Sequence, residues 1–225
     1  FILFSPLIFL IRIILGKENP QRFLEKFCIY SKNPNSKKTI WLHGSSVGEI
    51  LSVIPIIKEL EKNKRINKIL LSSSTTSSAL IFSKYKFKKT THIYFPIDTN
   101  YLTNKFINYW NPKVAIFIDS EIWPNMFKNL EKNNIPIILI NGRITKKSFM
   151  RWMKFSSFAI KIFKKISLAL PQNTETLKYL KILGVKKIKF AGNLKYSEGK
   201  VFQLRGCTFS QRNLLILRFV SWLLT

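Results

Sequence analysis

Apolar residues in this chain alternate between short unbroken runs and longer stretches of helical spacing. The runs TIWLH (39–43), KILLSSS (68–74), HIYFP (92–96), VAIFID (114–119), IPIILING (135–142), SLALPQ (167–172) and KIKFAGN (187–193) have the length of buried strands. Between them, SVGEILSVIPIIKELEK (46–62) places Val47, Ile50, Leu51, Ile54, Ile57 and Leu60 on one broad face. Ser45 or Ser46 can cap that helix, and Glu49 stands three residues after Ser46, as a capping box requires. Further helices are predicted after Ser78, over 99–110, after Ile122, over 147–165 and over 174–183. Strands separated by helices of this length imply βαβ units and a parallel sheet covered on both faces. The predicted fold class is therefore α/β, a Rossmann-like doubly wound domain.

Two regions break the rhythm. The N-terminal FILFSPLIFLIRIIL (1–15) is strongly apolar but carries Arg12 and is shorter than the roughly 20 residues that span a bilayer. It reads as the end of a membrane anchor, an interfacial helix or a core helix, and Lys17, Arg22 and Lys26 behind it suit a cytoplasmic membrane face. The divisions are an apolar membrane-contacting segment (1–16), a basic linker (17–38), the α/β domain (39–198) and an atypical tail (199–225).

Composition narrows the partners. The 38 Lys and Arg against 11 Asp and Glu give a formal net charge of +27, an excess that folding does not require. Much of it is Lys beside abundant Ile, Asn and Phe, the residues an AT-rich genome supplies. What remains favours anionic surfaces, and an anionic membrane more than nucleic acid: the Lys residues are scattered, and no helix-turn-helix, RNP or zinc motif is present. The helix over 147–165, with Lys, Arg, Phe and Trp mingled, fits either a membrane-lying face or a core helix with a wet basic side. Two cysteines, Cys28 and Cys207, and two histidines, His43 and His92, form no metal-ligand or disulfide pattern.

Ligands of open α/β sheets bind at the carboxyl ends of the strands. There the chain places Glu49, within His43-Gly44-Ser45-Ser46-Val47-Gly48-Glu49, either as a general base in a crevice or as a helix cap. It also places Asp119 and Glu121 two apart, which share a side if the fourth strand continues; the alternative is N-capping by Asp119 with Trp123 in the core. Arg143 after the fifth strand and Lys195 after the seventh stand at the same rim, as phosphate or carboxylate ligands or as solvated surface charges.

WLHGSSVGE (41–49), YFPID (94–98), DSEIWPN (119–125), IPIILINGR (135–143) and AGNLKY (191–196), in this order and spacing, resemble the N-terminal half of the 3-deoxy-D-manno-octulosonic acid (Kdo) transferases, glycosyltransferase family 30. The resemblance covers roughly residues 10–198. It implies the N-terminal, acceptor-side domain of a GT-B glycosyltransferase. The implied reaction moves Kdo from CMP-Kdo to a lipid A precursor, lipid IVA, by a single inverting displacement with no cofactor and no metal. It implies Glu49 as catalytic base and Glu121 as a second essential acid. Ser46, Gly48, Asn125, Arg143 and Lys195 are the expected substrate contacts, and the cytoplasmic face of the inner membrane is the expected location. Where the family has acid-Thr-acid before its tryptophan, this chain has Asp119-Ser120-Glu121. The resemblance ends near Ser197, so the C-terminal donor domain is expected to lie outside these residues, leaving this stretch inactive alone.

Overall fold

The computed structural model describes Arg12, Leu15, Gly16 and residues 18–31 and 39–190. Six strands form one parallel sheet: β1 (Thr39–His43), β2 (Lys68–Ser73), β3 (Thr90–Tyr94), β4 (Pro112–Ile118), β5 (Ile137–Gly142) and β6 (Ile166–Pro171). Their spatial order, β3-β2-β1-β4-β5-β6, is that of a doubly wound Rossmann sheet. The helices are α1 (Val47–Lys62), α2 (Thr76–Ser83), α3 (Asn100–Trp110), α4 (Pro124–Lys132), α5 (Lys146–Met153), α6 (Ser156–Phe163) and α7 (Thr174–Ile182).

Strand alternation sorts the core into two layers. Ile40, Leu42, Ile69, Leu71 and Ile116 point to one face and pack under α1, whose Ile50, Val53, Ile54, Ile57 and Leu60 are buried. Trp41, Leu70, Ala115 and Phe117 point to the other, under Phe106 and Trp110 of α3, Phe127 of α4 and Phe163 of α6. Both faces are apolar because both are covered, so these strands read as continuous hydrophobic runs. The order in which successive strands are added reverses between β1 and β4, whose carboxyl ends open the crevice where such sheets bind ligands.

Three expectations are corrected. The stretch 187–193 is not a seventh strand among the described residues. Only Ile188 bridges β6, at Ala169, through Ala169 N–H to Lys187 O and Lys189 N–H to Ala169 O, each 2.9 Å. The helix over 147–165 is two, because its halves serve different neighbours. Phe149 of α5 stacks on Tyr179 of α7 (4.2 Å between centroids), whereas α6 turns Ala159, Ile162 and Phe163 into the core. The break falls at Phe155, whose φ −125° and ψ 56° leave the helical region. The third concerns Asp119 and is described with the site. Segment 1–11 and the tail 199–225 lie outside the described residues.

Beside the sheet, Arg22 ties the pre-domain segment to β3. Its guanidinium bonds Glu25 (2.8 and 2.9 Å), reaches the His92 carbonyl (2.9 Å) and lies over the Tyr94 ring (5.0 Å). Burial, with the nearby Arg22 charge, pushes the His92 imidazole down from 6.5 to about 3. His92 is thus neutral when folded and protonated below pH 6.5 when unfolded, so the unfolded chain binds the extra proton and stability falls as pH drops from 6.5 towards 3. His92→Gln is expected to flatten that pH dependence by up to one proton in denaturant titrations, and an unchanged slope would contradict the assignment.

Candidate active site

The turn leaving β1 builds the first half of the site. Ser46 is the N-cap of α1 and accepts the Glu49 N–H (3.3 Å), while its hydroxyl donates to Glu49 Oε1 (2.7 Å). Glu49 Oε2 accepts the Ser45 N–H (2.8 Å). The N-cap is the one foreseen, but the return bond goes to the Ser45 N–H and not to the Ser46 N–H of a full capping box, and together these bonds clamp the carboxylate against the crevice turn. Each carboxylate oxygen offers two lone-pair sites and is engaged at one, so Glu49 keeps capacity for a proton. Gly44 is demanded by this packing: a Cβ there would sit 3.0 Å from Glu49 Cβ and 3.3 Å from Ile118 Cδ1. Gly48 faces open space, with nothing within 4 Å of a Cβ built on it.

The turn leaving β4 builds the other half, and here lies the third correction. The strand ends at Ile118; Asp119 takes a left-handed conformation (φ 64°), so strand alternation no longer relates it to Glu121. Nor does Asp119 cap α4. The N-cap is Trp123, without a side-chain bond, followed by Pro124 at the first helical position. The free amides are claimed from the preceding β3–α3 connection: Asp98 Oδ2 accepts Asn125 N–H (3.1 Å) and Asp98 Oδ1 accepts Met126 N–H (2.8 Å). Asn125, an expected substrate contact, also donates from Nδ2 to the Asp98 carbonyl (2.7 Å) as part of this brace.

Glu121 lies between the two turns. His43 Nε2 stands 3.1 Å from its Oε2, and Trp123 Nε1–H donates to the same oxygen (2.8 Å). Burial by itself raises the Glu121 pKa, but hydrogen bonds from His43, Ser45 and Trp123 oppose it, and the carboxyl is held below its ordinary value. Glu49 moves the opposite way. Burial raises it first, the Ser46 and Ser45 bonds resist, and the charges of Glu121 and Asp119 raise it further. Three acids thus share one rim in a strongly basic chain, and environment divides the two glutamates into a persistent anion and a more basic carboxylate.

Of the other expected contacts, Ser46 and Gly48 lie exposed on the α1 turn and Arg143 is exposed after β5, its N–H donating to the Asp119 carbonyl (3.1 Å). Lys195 lies outside the described residues. Sequence reasoning missed His43, Ser72, Asp98 and Trp123 as parts of the site. The signal for His43 was present: it shares the β1 face of Trp41 and stands at the strand's carboxyl end. Asp98 gave no such sign, because the helix it braces begins 26 residues later, at Pro124.

The fold and site define a doubly wound α/β domain with a paired-carboxylate crevice at the sheet's switch point. Residues 21–198 match the family described as 3-Deoxy-D-manno-octulosonic-acid transferase (kdotransferase), and the chain belongs to that family. It is similar to the 3-deoxy-D-manno-octulosonic acid transferases of Rickettsia bellii (34% identical over 86% of this chain and 46% of that protein) and Haemophilus influenzae (27%, 85% and 46%). It is also similar to a probable mitochondrial 3-deoxy-D-manno-octulosonic acid transferase of Arabidopsis thaliana (29%, 94% and 49%). The chain spans about half the length of these curated relatives. Among solved structures, UDP-GlcNAc 2-epimerase from Neisseria meningitidis superposes with a TM-score of 0.52 at 12% identity, over 71% of this chain and 48% of that one, a likeness of fold alone.

Proposed function

We propose that this domain is the acceptor-side half of a GT-B transferase that moves Kdo from CMP-Kdo to the lipid A precursor lipid IVA. The observation that carries the reading is the pairing of Glu49 and Glu121 at one strand-end rim in environments that push their basicities apart. Glu49 removes the proton of the acceptor hydroxyl as that oxygen attacks the anomeric carbon of Kdo. The bond from that carbon to the CMP phosphate breaks, CMP leaves with the electron pair, and the configuration inverts. Glu121 stays charged, orients the crevice and sustains the basicity of Glu49. Arg143 at the rim and Lys195 supply cations for the phosphates and carboxylate of the substrates. Ser46 and Gly48 let the acceptor approach the backbone of the α1 turn.

The test is transfer of labelled Kdo from CMP-Kdo to lipid IVA by the full-length protein. The rate falls as pH drops through the raised pKa of Glu49, because only the carboxylate accepts the proton, so the acid limb lies above the range of an ordinary glutamate. Absence of transfer, or an acid limb at the ordinary value, would defeat the proposal.

An acyl-chained acceptor stays in the bilayer, so we place the enzyme at the cytoplasmic face of the inner membrane. No helix of the described residues is long and apolar enough to cross a membrane. We place attachment on the apolar segment 1–16 and on the α5–α6 surface. There Met150, Phe155 and Phe158 are 55%, 71% and 50% exposed amid Lys146, Lys147, Arg151 and Lys154.

A further inference from the structure

An unbroken line of side-chain hydrogen bonds runs from the core to the crevice through His43. Trp41 Nε1–H donates to Ser72 Oγ (2.8 Å), and Ser72 Oγ lies 2.9 Å from His43 Nδ1. On the far side of the ring, Nε2 meets the Glu121 oxygen that Trp123 also holds. An indole only donates, so Trp41 occupies one of the two acceptor lone pairs of Ser72 Oγ. The Glu121 carboxylate only accepts, so a neutral ring must offer its proton from Nε2, and Nδ1 then takes the Ser72 hydroxyl hydrogen. A neutral imidazole accepting at Nδ1 carries its proton on Nε2 and donates it to the carboxylate. The alternative donates from Nδ1 to the Ser72 carbonyl, 3.2 Å away. In a neutral ring that sets two acceptors face to face, Nε2 against the Glu121 carboxylate. The ring is fully buried, stacked on Phe95 (4.0 Å between centroids) and edge-on to Phe117 and Trp123 (5.7 and 6.2 Å), so it is held against rotation.

We propose that His43 is a positioning residue: gripped at Nδ1 by Ser72, it presents Nε2–H to Glu121 and fixes that carboxylate within electrostatic reach of Glu49. The inference rests on the reading of Glu49 as the base. The titratable and polar groups facing the pair are His43 from β1, Ser45 from the α1 turn, Asp119 from the β4 turn and Trp123 from the start of α4. Without the His43 donor, burial lets Glu121 take a proton. Glu49 then loses a negative neighbour and becomes the weaker base.

The chain contains only two histidines, so ¹⁵N-histidine NMR on the 225-residue chain reads the tautomer directly. Near neutral pH, His43 is expected to show an unprotonated Nδ1 and a protonated Nε2, and Ser72→Ala to mix the tautomers. A protonated Nδ1 in the parent chain overturns the proposal. In the full-length transferase, His43→Leu is expected to lower kcat about 100-fold with KM little changed, and to move the acid limb to lower pH. His43→Gln, whose amide still donates to Glu121, recovers about tenfold of that loss. A role in core packing alone predicts lost thermal stability, an unmoved acid limb and no advantage for Gln over Leu, and that outcome also overturns the proposal. If His43→Leu does not fold, the acid limb of Ser72→Ala decides. Failure of the base assignment looks different: Glu49→Gln keeps turnover while the His43 tautomer stands.

Discussion

Glu49→Gln in the full-length transferase is expected to lower kcat by about 10²–10⁴-fold, the range lost with a general base, while the domain folds as before. The substitution is nearly isosteric, and the bonds at the cap tolerate it. A Gln carbonyl still accepts the Ser45 N–H, and its amide donates to Ser46 Oγ in place of accepting from it. What vanishes is the group that takes the proton. Glu49→Asp separates position from chemistry: the carboxylate survives but retreats by one methylene, and a displacement of about 1 Å costs about 10²-fold. Single-turnover rates and thermal melts on the same preparations check both. Turnover by the Gln variant within about tenfold of the parent would remove Glu49 from the chemistry and leave it a helix cap.

Trp41→Ala is expected to destabilise the domain by about 3–5 kcal/mol, a fall in Tm of about 10 °C. Trp41 has no exposed surface and packs against Phe106, Phe117 and Phe95 at 4.6, 5.2 and 6.0 Å between centroids. These three neighbours come from three separate segments, so a local shift cannot fill the hole. The substitution also strips Ser72 of its donor and loosens the line that reaches Glu121. Trp41→Phe restores most of the volume and none of the N–H. It is expected to recover most of the stability, short by about 1 kcal/mol, and to keep the His43 tautomer that Ser72→Ala mixes, because the Ser72 hydroxyl still donates to Nδ1. Denaturant midpoints give the first quantity and NMR the second. A loss for Trp41→Ala below about 1 kcal/mol would mean that this face is not the packed layer described.

The fold was legible because its instructions are local. A run such as Ile40-Trp41-Leu42 can only be buried on both faces, and the 3.6-residue spacing of Ile50, Ile54 and Ile57 can only make one apolar stripe. Ser46 and Glu49 declared the start of α1 for the same reason, since a capping box is written within four residues. The places where local reading failed are those where distant packing decides. The region 147–165 carries no Gly or Pro to mark a break, and the bend at Phe155 answers to Tyr179 and to the core. Asp119 keeps neither strand alternation nor a capping role, because the backbone turns left-handed there and Asp98 already holds the α4 amides.

By itself, then, the order of residues marked the six parallel strands with helices between them, along with a seventh at 187–193 that did not form among the described residues, and it marked the turn that carries Glu49 and the rim to which Glu121 belongs. Only the tertiary structure decided that His43, Ser72, Glu121 and Trp123 form one hydrogen-bonded line. It alone set the two glutamates in opposed environments. Periodicity and caps are written between near neighbours along the chain, whereas the basicity of a carboxylate depends on burial and on charges brought beside it by folding, from residues as far apart as His43 and Glu121.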